Sequence, residues 1–526
     1  MIVPMFTPRK AALIIWIVTP VMAAIQEPVR TEGGLVAGIA GANAEVRIFK
    51  GLPYAAPPVG DLRWRAPKPA PKWNGVRKAE QFGRTCLQGG ATSTPGSHSE
   101  DCLYLNVYSA ARSSRDRLPV MVWIHGGALR TGAGSDYDGE ELGRKGVVVV
   151  TINYRLGVFG FFAHPELTKE SDRNASGNYG LQDQIAALEW VQKNIAAFGG
   201  DVKRVTIVGE SAGSWSVNYL MASPLARGLF QRAIGESGGD FDPARKLADA
   251  EQMGVKFGQS VGANSLAALR AKTAEELQNS DGFLGANVDG WLLPEDVYTI
   301  FAKGKQNDVP LLIGSNSDEG SMLTRNTPVT AASFHEYVQR RYGPDTEAFL
   351  KVYPFQSDAE AKAVQAASMR DSTFGWEMRT WARMQTKTGK SKVYLYFFSR
   401  VPPGPDAASR GAFHTAEIAY VFNNVNGKSG YVEPFFRTAD HTQRPWQDTD
   451  RKLADAMSSY WVTLAATGDP NREGLPKWPA YRAADNLVMG LGDKIAVESL
   501  PHNQALDFMD AFFDRMRKAG QFVPIR

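Results

Sequence analysis

The chain is poor in cysteine and histidine. Its 526 residues hold two of the first and seven of the second. So few thiols exclude a disulfide-dense scaffold, and no Cys/His cluster has the spacing of a metal site, so neither metal nor cofactor is expected. An excess of one charge is also missing. Lys and Arg number 59 against 55 Asp and Glu, a net +4. They form no basic block of the kind that marks a nucleic-acid partner. No apolar run beyond the first 25 residues is long enough to cross a bilayer. Nor is there a stretch of flexible linker composition, so one large domain with insertions is expected over 24–526. What is present is ordinary for a globular protein, with 43% apolar and 22% charged residues. The length allows a large core.

The N-terminus has the form of a secretory signal. Arg9 and Lys10 precede the apolar run Ala11 to Val21, and Val21-Met22-Ala23 fits a small-x-small cleavage site. Residues 1–23 are therefore expected to be removed on export, to a periplasm or the medium. In an exported chain Cys86 and Cys102 are expected to pair. The loop they close is short, which sets the stabilisation on the order of 3 kcal/mol.

One stretch organises the rest. Val205-Thr206-Ile207-Val208 has strand propensity and runs into Gly209-Glu210-Ser211-Ala212-Gly213, after which Trp215 to Met221 reads as helix. A G-x-S-x-G between strand and helix is the context in which the motif carries chemistry. The flanking positions must be small for the turn to close. The serine then sits at a helix N-terminus, where free N–H groups favour negative charge.

The neighbouring segments fit the same frame. PVMVWIH at 119–125, GVVVVTIN at 146–153, VPLLI at 309–313 and KVYLYFF at 392–398 read as buried strands. Gly177 to Phe198 contains a long helix stopped by Gly199-Gly200-Asp201, and further helices are expected at 453–464 and 503–518. The proline-rich segment from Phe49 to Pro67 is expected to be irregular. Strands alternating with helices imply a doubly wound α/β sheet whose site lies at the strand C-terminal ends.

A serine nucleophile needs a base, an acid and an oxyanion hole. His335, His414, His441 and His502 follow Ser211 in the chain. His414 is favoured, because it lies in an irregular loop after a strand, where an imidazole can hang over the sheet edge. Asp318 and Glu319 both follow the VPLLI strand, and spacing does not separate them. His125-Gly126-Gly127-Ala128 follows another strand. The N–H groups of Gly127, Ala128 and Ala212 would make a three-donor hole, in which one donor is worth about 2.7–4 kcal/mol. Phe283, Leu284, Trp291 and Phe374 are candidates for the pocket lining.

Together these stretches resemble the type-B carboxylesterase family of α/β-hydrolases, which includes para-nitrobenzyl esterases and cholinesterases. GLPYAAPPVGDLRW, SEDCLYLNV, VWIHGGA, INYRLGVFGF, VTIVGESAGS, GSNSDEG, AFHTAEIAYVF and GDPN carry the likeness, from about Gly34 to Tyr481. The resemblance implies an α/β-hydrolase fold and a triad of Ser211, Glu319 and His414, so that it selects Glu319 over Asp318. It also implies the oxyanion donors Gly127, Ala128 and Ala212, a serine (Ser237) near the acid, the Cys86–Cys102 disulfide and a structural Arg63–Glu100 ion pair. Two departures stand out. Ala128 replaces the third glycine often found in the oxyanion run. The loop between the cysteines holds no aromatic residue, which argues against choline esters. The expected enzyme is an exported monomeric serine esterase acting on small-molecule carboxylic esters.

Overall fold

The fold is taken from a computed structural model, which describes residues 25–42, 44–89, 98–278, 285–425 and 445–520. The leader, Phe283, Leu284 and His441 lie outside the described residues.

The centre is an 11-stranded sheet. Its strands, in chain order, are β1 (Ile39–Ala40), β2 (Arg47–Pro53), β3 (Tyr104–Ser109), β4 (Leu118–Ile124), β5 (Val148–Ile152), β6 (Gly200–Glu210), β7 (Arg232–Glu236), β8 (Leu311–Asn316), β9 (Val393–Phe398), β10 (Leu487–Leu491) and β11 (Ile495–Ser499). Across the sheet they run β11-β10-β9-β8-β7-β6-β4-β5-β3-β2-β1. The pairs from β10 through to β5 are parallel. Both ends of the sheet close with antiparallel pairs.

Apolar residues on both faces explain the unbroken runs seen in the sequence. Val120, Val122 and Ile124 pack in one core, whereas Met121 and Trp123 pack in the other. This is the period-2 alternation of a strand covered on both sides. Helix α1 (Tyr179–Asn194) and helix α2 (Ala212–Ala222) cover the first face, with Leu188, Val217 and Leu220 in its core. Helix α3 (Asp448–Thr467) covers the second, with Leu453, Met457 and Trp461. Among the described residues no helix is long and apolar enough to cross a membrane.

Two segments differ from expectation. The proline-rich stretch is not irregular from Phe49, because β2 extends to Pro53. Its register with β3 shifts between Phe49 and Leu52, where Gly51 takes φ +63° and gives its N–H to Asn106 Oδ1 at 3.0 Å. This bulge lets a glycine and a terminal proline sit in a strand that would otherwise reject them. The β10–β11 hairpin was not foreseen. β11 is an edge strand and mostly exposed, so it carries none of the apolar patterning by which the inner strands are read.

Two ties hold the loops above the sheet. Cys86 and Cys102 form a disulfide. Arg63 meets Glu100 with Nε–Oε2 at 2.7 Å and also donates to the carbonyls of Arg270 and Lys272.

Candidate active site

Ser211 stands between β6 and α2 with φ +57° and ψ −123°, a conformation that non-glycine residues rarely adopt. Its own N–H is held by the Glu236 carbonyl at 2.8 Å. The flanking glycines are there for space. A Cβ on Gly209 would lie 2.4 Å from the Gly213 carbonyl, and one on Gly213 would lie 2.0 Å from the Ile124 carbonyl oxygen. The serine is nearly buried at 8% exposure. The N–H of Ala212 opens α2 and has no acceptor within the helix.

The segment after β4 lies against this turn. A Cβ on Gly126 would come within 3.0 Å of the Ser211 Cβ. Gly127, Ala128 and Leu129 follow with φ of +103°, +54° and +58°. Three successive left-handed residues curl the backbone so that the Gly127 carbonyl accepts from Arg130 and Thr131, while the Leu129 carbonyl accepts from Gly157. Among the described residues the N–H groups of Gly127 and Ala128 have no acceptor. His125 anchors the turn from below. It stacks on Tyr154 at 4.4 Å, its Nδ1 lies 2.8 Å from the Gly126 carbonyl, and burial lowers it to about 4. It is therefore neutral and serves as a spacer.

His414 follows β9 and is buried. Its Nδ1 lies 2.6 Å from Glu319 Oε2, and its Nε2 lies 3.3 Å from Oε1 of Glu210, the residue before Ser211. The imidazole thus points one nitrogen at the carboxylate after β8 and the other toward the β6 turn. Asp318 is engaged elsewhere: its Oδ2 accepts the Ala412 N–H at 2.9 Å, and its own N–H goes to the Ala412 carbonyl. Of the two acidic candidates, Glu319 is the one against the histidine.

The carboxylesterase family model matches residues 26–509. The chain belongs to that carboxylesterase family. Among its relatives, a fumonisin B1 esterase of Sphingopyxis macrogoltabida is 38% identical over 508 residues, covering 91% of this chain and 90% of the relative. The para-nitrobenzyl esterase of Bacillus subtilis is 37% identical over 486 residues, covering 87% and 94%. A solved thermophilic PNB esterase superposes with a TM-score of 0.79 at 34% identity, covering 91% of this chain and 99% of that one. The carboxylesterase adopts the α/β-hydrolase fold and is a carboxylic ester hydrolase.

The remaining candidates of this carboxylesterase separate clearly. Ser237 lies at the end of β7 with φ +55°, and its hydroxyl reaches Glu417 Oε1 at 3.5 Å, so its side-chain bond is to Glu417 and not to Glu319. Phe374 is buried with its ring 4.7 Å from that of His414. Trp291 lies under Arg173. His335 is in the helix Ala331–Tyr342, and His502 precedes the helix Asn503–Lys518.

Among the fully buried glutamates, Glu210, Glu236 and Glu417 bear on one another and were not singled out from the sequence. Burial raises all three above the ordinary carboxylate range. The neighbouring Glu417, Glu319 and Glu236 push Glu210 further, while Glu417 pushes Glu236 and Glu319 pushes Glu417. A charged letter at the end of an apolar strand, as in VTIVGE and RAIGE, was the available signal. The upward shift of Glu210 works against a second negative charge beside His414.

Proposed function

We propose that the chain is an exported serine carboxylesterase with Ser211 as nucleophile, His414 as base and Glu319 as acid. The observation that carries this reading is the imidazole of His414, set between Glu319 Oε2 at 2.6 Å and the residue before Ser211 at 3.3 Å. The Ser211 hydroxyl attacks the ester carbonyl. His414 Nε2 takes its proton, and Glu319 stabilises the imidazolium through Nδ1. Charge on the carbonyl oxygen develops toward the N–H groups of Gly127, Ala128 and Ala212, which need no reorganisation to receive it. The tetrahedral intermediate collapses, the proton passes to the leaving alcohol, and an acyl-Ser211 ester remains. Water, deprotonated by the same histidine, then releases the acid.

Ser237 supports the site through Glu417. Residues 24–526 are read as one domain, because the large sheet draws its strands from residues 39 to 499. Export is supported by the leader pattern at 1–23 and by the buried disulfide, and the monomer remains our reading of the assembly.

The test is hydrolysis of p-nitrophenyl esters from acetate to decanoate by the mature chain beside Ser211→Ala. Wild-type turnover that disappears in Ser211→Ala is expected, and full turnover in the variant would refute the serine mechanism. Fractionation of cells expressing residues 1–526 should find product shortened at its N-terminus outside the cytoplasm.

A further inference from the structure

We propose that Asn316 is a positioning residue for the proposed triad, joining the acid loop to the histidine loop through a single side-chain amide, with Glu417 orienting that amide. The inference rests on the serine mechanism proposed above.

Asn316 is the last residue of β8 and is fully buried. Its backbone N–H donates to Glu319 Oε1 at 2.8 Å, leaving Oε2 for His414. Its side-chain Nδ2 donates twice, to the carbonyl of Phe413 at 2.8 Å and to Glu417 Oε2 at 2.5 Å. Phe413 immediately precedes His414 in the chain, so one residue grips the acid from its backbone and the base from its side chain. The orientation of the amide is fixed by chemistry. The Phe413 carbonyl accepts only, so the NH2 end must face it and Oδ1 is left without a hydrogen bond.

That unpaired oxygen is informative. A buried amide oxygen with no donor is costly, and an apolar side chain of similar shape would avoid the cost if filling space were the whole role. Glu417 completes the arrangement. It lies three residues beyond His414, and its two oxygens accept from Asn316, the last residue of β8, and Ser237, the first after β7. The carboxyl therefore joins two strand ends to the loop that carries the base. The groups that bear on Glu417 are Glu319, Glu236, His414 and Glu210, with the Tyr396 hydroxyl nearby. A retained proton in this cluster removes the repulsion that would otherwise force the loops apart.

The test compares Asn316→Leu, Asn316→Asp and Glu417→Gln with wild type, using p-nitrophenyl acetate. Leu keeps the branching and the number of side-chain heavy atoms and removes both amide donors. Asn316→Leu should lower kcat about 30-fold with KM changed less than threefold, since a misplaced base slows chemistry and leaves binding intact. Glu417→Gln keeps an oxygen facing the amide, so its kcat should fall less than that of Asn316→Leu. Should Asn316→Leu fail to fold, Asn316→Asp is read in its place, with a fall of at least tenfold expected. A folded Asn316→Leu or Asn316→Asp with kcat within threefold of wild type overturns the proposal. So does a loss in which KM rises as far as kcat falls. Failure of the serine mechanism is distinguishable, because it would appear as turnover persisting in Ser211→Ala.

Discussion

The tight turn at Ser211 makes a sharp prediction for Gly213→Ala. In a helix, alanine is worth up to about 1 kcal/mol over glycine, so propensity alone would make the change favourable. The space forbids it. The new Cβ would lie 2.0 Å from the Ile124 oxygen, 2.9 Å from its carbon and 3.1 Å from the carbonyl carbon of His125, all backbone atoms. Ordinary contact begins at 3.4 Å, so the separation must grow by more than about 1 Å, and no side chain can rotate away to supply it. Either α2 retreats, carrying Ser211 with it, or the end of β4 moves, carrying Gly127 and Ala128. Both change the distance from the proposed nucleophile to the proposed oxyanion donors. A misplacement of about 1 Å costs on the order of 100-fold in rate, or about 2.7 kcal/mol of barrier. The assay is kcat for p-nitrophenyl acetate on material shown folded by near-UV circular dichroism. Gly143→Ala is the control. Its Cβ would meet nothing nearer than 3.9 Å, so it should leave kcat unchanged and should not lower Tm. A Gly213→Ala enzyme within threefold of wild-type kcat, with unchanged Tm, would refute the steric reasoning.

Other outcomes follow from the same geometry. Glu319→Gln should lower kcat by about 10³- to 10⁴-fold by upsetting the imidazole tautomer, whereas Asp318→Asn, which keeps an oxygen for Ala412, should stay within about tenfold in the same assay. Replacing Cys86 and Cys102 by Ser should cost on the order of 3 kcal/mol for cysteines at a sequence separation of 16, read as a lower urea midpoint. An unchanged midpoint would show that the bridge constrains nothing. Burial, then the charge of Glu319, pushes Glu417 up to about 7 from an ordinary 4.5. The folded chain thus keeps a proton that the unfolded chain releases above about pH 4.5. Its stabilisation is complete below that pH and is lost as pH rises through about 7. Urea midpoints measured from pH 4.5 to 7.5 should fall less steeply in Glu417→Gln than in wild type, and equal slopes would count against a raised Glu417.

Much of this was legible in the sequence, for physical reasons that differ by element. The inner strands announced themselves because both faces are covered, so β4, β5, β8 and β9 could not afford a polar side. The turn at Ser211 was legible because only glycine fits at 209 and 213. Asp318 and Glu319 were not separable by spacing. Both sit within reach of the histidine loop, and the choice depends on which carboxylate is taken by the Ala412 N–H. Asn316 and Glu417 were illegible for a similar reason. Their roles lie in which groups they meet 97 to 180 residues away in the chain, and no local pattern records that.

The parallel sheet also has a consequence for how activity is acquired. Glu319 and His414 are 95 residues apart in the chain, and Ser211 lies more than 100 residues before Glu319. The proposed triad assembles only when β6, β7, β8 and β9 are all in register, because each member follows the end of a strand in that set. Parallel neighbours cannot zip from a tight hairpin, so such pairings are made across long loops and form slowly. Recovery of esterase turnover after dilution from denaturant therefore reports the closing of the sheet's centre. A lag of turnover behind the return of helical circular dichroism would time that step without any added probe.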